Sequence, residues 1–118
     1  MSSAIKFNLN CFDVETDDVM IVRALADILK IDMRRIKVVS SYKILQNTFI
    51  FNADNKPIYS HEIVISPSLT DDSMSPEELF KTQLLNNSKN QGFLKEKIPS
   101  WTGYFDPISK YQVKKPYY

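Results

Sequence analysis

Hydrophobic and polar residues alternate at the start of the chain. One side of the segment carries Ile5, Phe7, Leu9 and Cys11. The residues between them are mostly polar. Successive side chains of a strand point to opposite faces of a sheet, so this alternation predicts a half-buried strand over residues 4–12.

The next segment predicts an amphipathic helix over residues 16–30. Thr16 or Asp17 can cap its free N–H groups, and the acidic residues around them suit the positive end of the helix dipole. Apolar residues then recur at helical spacing, namely Ile21, Val22, Leu25, Ile28 and Leu29. This spacing places an apolar stripe on one side of the helix.

Three short apolar segments follow and predict strands. They cover residues 34–42, 47–52 and 58–66. A turn cluster at residues 52–57 separates the last two, since Asn, Asp and Pro favour turn dihedrals. Two arrangements remain open. Residues 48–65 form a hairpin, or one arm is the third main strand and the other is an edge extension.

A second helix is predicted to begin at Ser75. Ser75 is a suitable N-cap, Pro76 suits the first helical position, and Glu78 completes a capping box. The apolar stripe consists of Leu79, Phe80, Leu84 and Leu85. The polar residues 86–92 are predicted to end this helix, and residues 93–98 are predicted to form the last strand.

The resulting order, β-α-β-β-α-β, predicts an α+β fold of the ferredoxin-like sandwich type. Two helices would cover one face of an antiparallel sheet. Residues 1–98 would form this domain, and residues 99–118 an extended, aromatic-rich C-terminal tail. The other face of the sheet would stay open, lined by Asn8, Asn10 and Lys37, unless a partner covers it.

Composition removes several classes of site. The chain has two glycines, which excludes a glycine-rich phosphate loop. It has one cysteine and one histidine, which excludes an intrachain disulfide and a His/Cys zinc site. The formal net charge is +1, so no bulk charge attracts nucleic acid or anionic lipid. We therefore expect no cofactor and no metal.

The titratable residues do not form a recognisable catalytic group. His61 would need an orienting carboxylate to act as a general base, and the neighbouring Glu62 points to the opposite face of the predicted strand. Cys11 lies on the inward face, where a cysteine behaves as a small apolar residue. The carboxylates at residues 13–18 are explained by helix capping. An enzyme hypothesis would require a pocket in which His61 meets Tyr42 or Tyr59.

Nucleic-acid binding also lacks its usual signals. Arg34, Arg35 and Lys37 form a short basic stretch. Ferredoxin-like sheets that bind RNA present aromatic residues on their central strands. The polar face of the first strand carries lysine and asparagine, with no aromatic residue on which a base could stack.

The last eighteen residues contain six aromatic side chains. Tyrosine and tryptophan are enriched at the energetic centres of protein interfaces. We therefore predict a partner-binding role for Trp101, Tyr104, Phe105, Tyr111, Tyr117 and Tyr118. In the alternative interpretation, residues 101–105 fold back onto the open face of the domain itself.

The segment Val22-Arg23-Ala24-Leu25-Ala26-Asp27-Ile28-Leu29, followed by residues 30–40, resembles the helix-to-strand portion of SEA-like modules. Such modules occur in large cell-surface proteins and have a ferredoxin-like fold, so the resemblance implies that fold here. Some of them cleave themselves at a Gly-Ser-apolar motif between the central strands. That motif is absent from this sequence.

These patterns favour a non-catalytic structural or adaptor subunit that docks onto other protein subunits through its open sheet face and its tail. The alternatives are a small ligand-binding domain or enzyme with a pocket near His61, and an SEA-like extracellular module. The sequence lacks a signal-peptide pattern and any run of about 18 apolar residues. The expected setting is intracellular, with cytoplasm and organelle, including the mitochondrion, both open.

Overall fold

The computed structural model describes residues 3–12, 16–44, 58–68, 74–105 and 109–111. The strands are β1 (Ala4–Cys11), β2 (Ile36–Ile44), β3 (Ile58–Ile65), β4 (Trp101–Phe105) and β5 (Ser109–Tyr111). The helices are α1 (Asp18–Leu29), α2 (Pro76–Leu79) and α3 (Ser88–Lys97). A 3₁₀ turn (Met33–Arg35) precedes β2, and a π-helical segment (Phe80–Leu85) continues α2.

The strands form one antiparallel sheet in the order β2-β3-β1-β4, with β5 also paired to β1. The fold is therefore α+β, as predicted. Residues 58–65 form the third strand of the sheet in chain order. The other arm of the predicted hairpin, the strand predicted over residues 47–52, lies outside the described residues, so both arrangements stay predictions.

The side chains of β1 point alternately to the two faces of the sheet, as the alternation predicted. Phe7 is opposite Ile63 on β3, and Ile63 is opposite Val38 on β2. Together with apolar side chains of α1, the π-helical segment and α3, these residues form the core. The helices thus cover the face that carries Phe7 and Ile63. The other face, with Lys6, Asn8 and Asn10 on β1, is called the outer face below.

The first helix begins where its cap allows. The Asp17 carboxylate accepts a hydrogen bond from the backbone N–H of Met20, at 2.9 Å. Thr16, the other predicted cap, is buried and its hydroxyl instead contacts that of Ser100, at 2.7 Å. The helix ends at Lys30, which adopts the left-handed conformation at φ 57°. Asp17 therefore fixes the start of α1, and Thr16 ties that start to the segment before β4.

The prediction for the region after α2 is confirmed for the helix end and wrong for the last strand. Ser75 caps α2 as predicted, accepting from the N–H of Glu78 at 3.2 Å. The helical segment that continues α2 ends at Asn86, within the predicted range of residues 86–92. However, residues 93–98 are not a strand. Asn87 accepts a hydrogen bond from the N–H of Asn90 at 3.0 Å and starts a new helix, α3. The described residues therefore contain three α-helices instead of two.

Side-chain amides hold the junction between these helices together. Asn90 donates to the carbonyl of Gln83 at 2.9 Å, and Gln91 donates to the carbonyls of Leu84 and Leu85 at 2.9 and 3.0 Å. Carbonyl groups at a helix end need such partners because they have none within the helix. The chain can therefore stop one helix and start another within two residues.

The segment predicted as an extended tail from residue 99 contains two strands of the sheet. β4 pairs with the second half of β1, with Trp101 opposite Cys11 and Phe105 opposite Leu9. β5 pairs with the first half, with Tyr111 opposite Ala4. Three residues of β4 are therefore opposite Asn10 alone, and Gly103 allows this bulge by adopting φ 93°. Within the segment predicted as a tail, residues 101–105 and 109–111 thus belong to the sheet.

Candidate functional site

Polar side chains form a hydrogen-bonded row across the outer face. The amide nitrogen of Asn8 lies 2.8 Å from the hydroxyl of Ser60 and 3.1 Å from the hydroxyl of Tyr42. The pairing register explains the row, since Tyr42 on β2 is opposite Ser60 on β3. The Asn8 amide thus donates to both hydroxyl groups and fixes the position of the Tyr42 ring.

A second row lies beside the first. The Lys6 ammonium and the Glu62 carboxylate are 2.7 Å apart, and the Ser40 hydroxyl donates to the same carboxylate at 2.7 Å. The hydrogen bond from Lys6 lowers the pKa of Glu62 below its ordinary value, and the bond from Ser40 adds to the shift. Glu62 is therefore a fixed carboxylate at neutral pH.

The outer face is not uniformly exposed. Its centre is buried within the chain, since Asn10, Ser60 and Val64 are at most 2% exposed. The β2 side is exposed, and Tyr42 is 47% exposed. The part of this face that a partner can reach is therefore the β2 side, which we call the β2 surface and define by Lys37, Ser40 and Tyr42.

The predicted tail residues do not share one environment. Trp101 is 2% exposed, and Phe105 packs against the core. Their rings join those of Phe7 and Phe80, with centroids 4.7–5.7 Å apart. This agrees with the alternative interpretation that residues 101–105 fold back onto the domain itself. However, the two rings lie on the helix side of the sheet and not on the outer face.

The remaining tail residues fall in three places. Tyr104 is 65% exposed, so its ring is available to a partner. Tyr111 belongs to β5 through its backbone pairing. Tyr117 and Tyr118 lie outside the described residues. A contact role among the described aromatic residues of β4 therefore fits Tyr104 best.

His61 lies on the helix side of the sheet. Its backbone is opposite Leu9 on β1 and Ser41 on β2. The ring is buried, and its Nδ1 atom lies 2.7 Å from the Ser41 hydroxyl. Its Nε2 atom is buried and has no hydrogen-bond partner among the described residues. Since Glu62 and Tyr42 point to the outer face, the register does not bring either of them to His61.

Two features of the sequence could have located His61. Ile63 and Ile65 were predicted to share a face, and the two-residue period of a strand puts His61 on that same face. The contact with Ser41 could not have been found this way. It depends on the bulge in β2 between Val38 and Ser40, which shifts the register by one residue.

The position of His61 predicts a pH dependence of stability. Burial lowers its pKa below the ordinary value of 6.5, and the charge of Asp18 opposes this shift. At pH values between the lowered pKa of His61 in the folded chain and its ordinary pKa in the unfolded chain, the unfolded chain binds more protons than the folded chain. Lowering the pH in this range therefore favours unfolding. We expect the free energy of unfolding to stay constant above about pH 7 and to fall towards pH 5.

Urea denaturation at several pH values measures this effect. In the variant His61→Gln the free energy of unfolding should change much less between pH 7 and pH 5. The carboxyl groups of Asp27, Asp32 and Glu62 all have lowered pKa values and stay charged in this window, so they contribute little to the pH dependence there. An equal slope in both proteins would show that His61 is not its source.

The other candidate groups have structural partners. Cys11 is buried in the core. Arg34 forms an ion pair with Asp32 at 2.8 Å, and Arg35 is buried and donates to the carbonyl of Ser66 at 2.9 Å. Of the predicted basic stretch, Arg35 is thus buried and Arg34 is paired, while Lys37 lies exposed on β2.

An open groove of about 620 Å³ lies beside α1. It is lined by Met20, Arg23, Ala24, Ala26, Asp27, Met33 and Lys97. Lys97 of α3 and Asp27 of α1 are 2.7 Å apart, and the hydrogen bond from Lys97 lowers the pKa of Asp27. This ion pair links the two helices at the groove.

No group of three or more histidine, cysteine, aspartate or glutamate side chains that could hold a metal ion occurs in the described part of the chain. None of the helices described is both long and apolar enough to cross a membrane. Comparison with protein-family models, curated proteins and solved structures finds no match to this chain.

Proposed function

We propose that this chain is a non-catalytic adaptor or structural subunit that docks onto a partner protein through the β2 surface. The observation that carries the proposal is the Tyr42 ring, which is about half exposed and held in place by Asn8. Tyrosine contributes a large contact area with few rotatable bonds, so an ordered tyrosine loses little entropy on binding. Tyr104 lies on β4, at the other end of the strand order from β2, and would be a second exposed contact for a partner that spans the sheet.

The polar rows support the same role. A partner that covers the β2 surface meets Ser40 and Glu62 already joined to Lys6, so these groups need not reorganise on binding. Pre-organised groups reduce the cost of association. The enzyme alternative lacks comparable support, because His61 has a serine partner and no orienting carboxylate among the described residues.

We further propose that the fold is of the ferredoxin-like type. Its support is the strand order β4-β1-β3-β2 with antiparallel pairing throughout, together with one helix between β1 and β2 and a helical region between β3 and β4. The third helix and β5 would be additions to that plan. SEA-like modules would share the plan, and the resemblance at residues 22–40 covers its first helix and second strand.

A pair of matched variants tests the docking proposal. Tyr42→Arg places a charge on the β2 surface, and Phe93→Arg places the same charge on α3, where Phe93 is similarly exposed. Each tagged full chain is recovered from the cells that naturally make it, and co-recovered proteins are quantified by mass spectrometry. We expect Tyr42→Arg to lower the recovery of a specific partner by about ten-fold or more, equivalent to roughly 1.4 kcal/mol, and Phe93→Arg to leave it unchanged.

Both variants must first be shown to be folded by circular dichroism. If Tyr42→Arg is folded and recovers the same partners as the unmodified chain, the β2 surface is not the docking site. If Phe93→Arg alone loses partners, the docking surface lies on the helical side.

A further inference from the structure

The outer edge of β2 offers backbone groups for pairing. β2 spans nine residues, and in the described part of the chain it pairs on one side only, with β3. In an antiparallel ladder about half of the N–H and C=O groups of an edge strand point away from the sheet. Residues Val39 to Lys43 are all exposed. The edge is therefore accessible over several consecutive residues.

The residues of β2 disfavour pairing with a second copy of the chain. Lys37 and Lys43 are both exposed, and β2 carries no carboxylate. Two copies would bring two lysine-bearing edges together. The bulge at Val39 also bends the strand, which is a common way in which proteins protect an edge from self-association.

The same lysines favour a partner strand that carries carboxylates. Lys37 and Lys43 lie on opposite faces of β2, because Lys37 is opposite Val64 and Lys43 is opposite Tyr59. A strand placed beside β2 would bring the side chains of one of its faces close to Lys37 and those of its other face close to Lys43, and opposite charges on neighbouring strands stabilise the pair. Val39 and Tyr42 supply exposed apolar contact area beside these charges. Main-chain hydrogen bonds would give affinity, and side-chain charges would give selectivity.

We propose that β2 binds an extended, acidic segment of a partner protein, which adds to the sheet as a further strand. This inference rests on the proposed docking function and specifies its geometry. It differs from docking on the outer face alone, because it requires backbone hydrogen bonds at the strand edge.

The test uses terminally blocked nine-residue peptides and the full, isotopically labelled chain. One peptide alternates valine and glutamate, and a second alternates valine and lysine. Three further valine–glutamate peptides carry N-methyl groups at odd residues, at even residues or at all residues, which blocks one edge of the peptide, the other edge or both. Binding is followed by NMR titration and by hydrogen exchange of the β2 amides.

We expect the glutamate peptide to shift the β2 resonances, to slow exchange of outward-facing β2 amides, and to bind about ten-fold more tightly than the lysine peptide. N-methylation should prevent pairing through the blocked edge. A peptide strand can present either edge to β2. Turning the peptide over about its long axis to present the other edge also exchanges its two side-chain faces. Methylating both sets of residues in one peptide should therefore abolish binding, whereas each singly blocked peptide should bind no better than the unmodified one.

The variant Lys43→Glu should show a smaller preference for the glutamate peptide than the unmodified chain, because Lys37 on the other face of β2 remains. Binding that survives complete N-methylation, or resonance shifts confined to other surfaces, would overturn edge pairing. Self-association of the chain through β2, detected by sedimentation, would overturn the choice of partner. These results leave the docking proposal intact if Tyr42→Arg still loses its partner, so the two claims can fail separately.

Discussion

Replacing Trp101 with alanine is expected to lower the free energy of unfolding by about 3–5 kcal/mol. The side chain is almost completely buried, and its ring lies 5.0 Å from that of Phe105. Phe105 in turn contacts Phe7 and Phe80. Removing the indole would leave a cavity where β1, β4 and the π-helical segment meet. This loss is a large fraction of the stability of a typical domain.

Chemical denaturation followed by circular dichroism measures the effect. Trp101→Phe keeps an aromatic ring but loses the hydrogen bond from the indole N–H to the carbonyl of Tyr104, at 3.1 Å. It should cost roughly 1–2 kcal/mol. Tyr104→Ala, an exposed position, should cost less than about 0.5 kcal/mol. A loss below about 1 kcal/mol for Trp101→Ala would show that Trp101 is not part of the core.

A chain that ends after Pro99 is expected not to fold cooperatively. The deletion removes Trp101 and Phe105 from the core and removes both strands that pair with one edge of β1. It also removes the Trp101 carbonyl that accepts a hydrogen bond from Lys95. The lost packing would exceed the cost of Trp101→Ala, and β1 would become an unprotected edge.

Thermal unfolding distinguishes this outcome from a stable shortened domain. The matched control ends at Tyr111 and keeps β4 and β5. We expect a cooperative transition in the control and none in the shorter chain. A cooperative transition with an unchanged midpoint in the chain ending at Pro99 would mean that the domain ends there, as the sequence alone suggested.

This result determines how the tail can be tested for partner binding. Loss of binding after deletion from residue 100 would follow from unfolding and would say nothing about contacts. Deletion of residues 112–118 removes Tyr117 and Tyr118 without touching β5. That shorter deletion is the appropriate test of the two terminal tyrosines.

The regular elements could be predicted because their signals are local. Three such signals are the alternation in β1, the apolar stripe of α1 and the capping box at Ser75. Each of them is contained in one short segment of the sequence. The break between the π-helical segment and α3 is harder to predict from the sequence. Asn87 could have been recognised as a helix cap, but the amide bonds from Asn90 and Gln91 to preceding carbonyls depend on how the two helices meet.

The role of the tail residues could not be predicted for a related reason. The aromatic composition after residue 99 fits an interface and a core equally well. What decides for Trp101 and Phe105 is their pairing with β1, a strand at the other end of the sequence. Likewise, the contact between Tyr42 and Asn8 follows from a sheet register that no local pattern encodes.

The central claim is that the β2 surface contacts a partner protein, and site-specific photo-crosslinking tests it most directly. A benzophenone amino acid replaces Tyr42 in one full chain and Phe93 in a matched chain, and both are irradiated in the cells that naturally make the protein. We predict a discrete crosslinked protein from position 42 and none from position 93. A crosslink from position 93 with none from position 42 would contradict the claim.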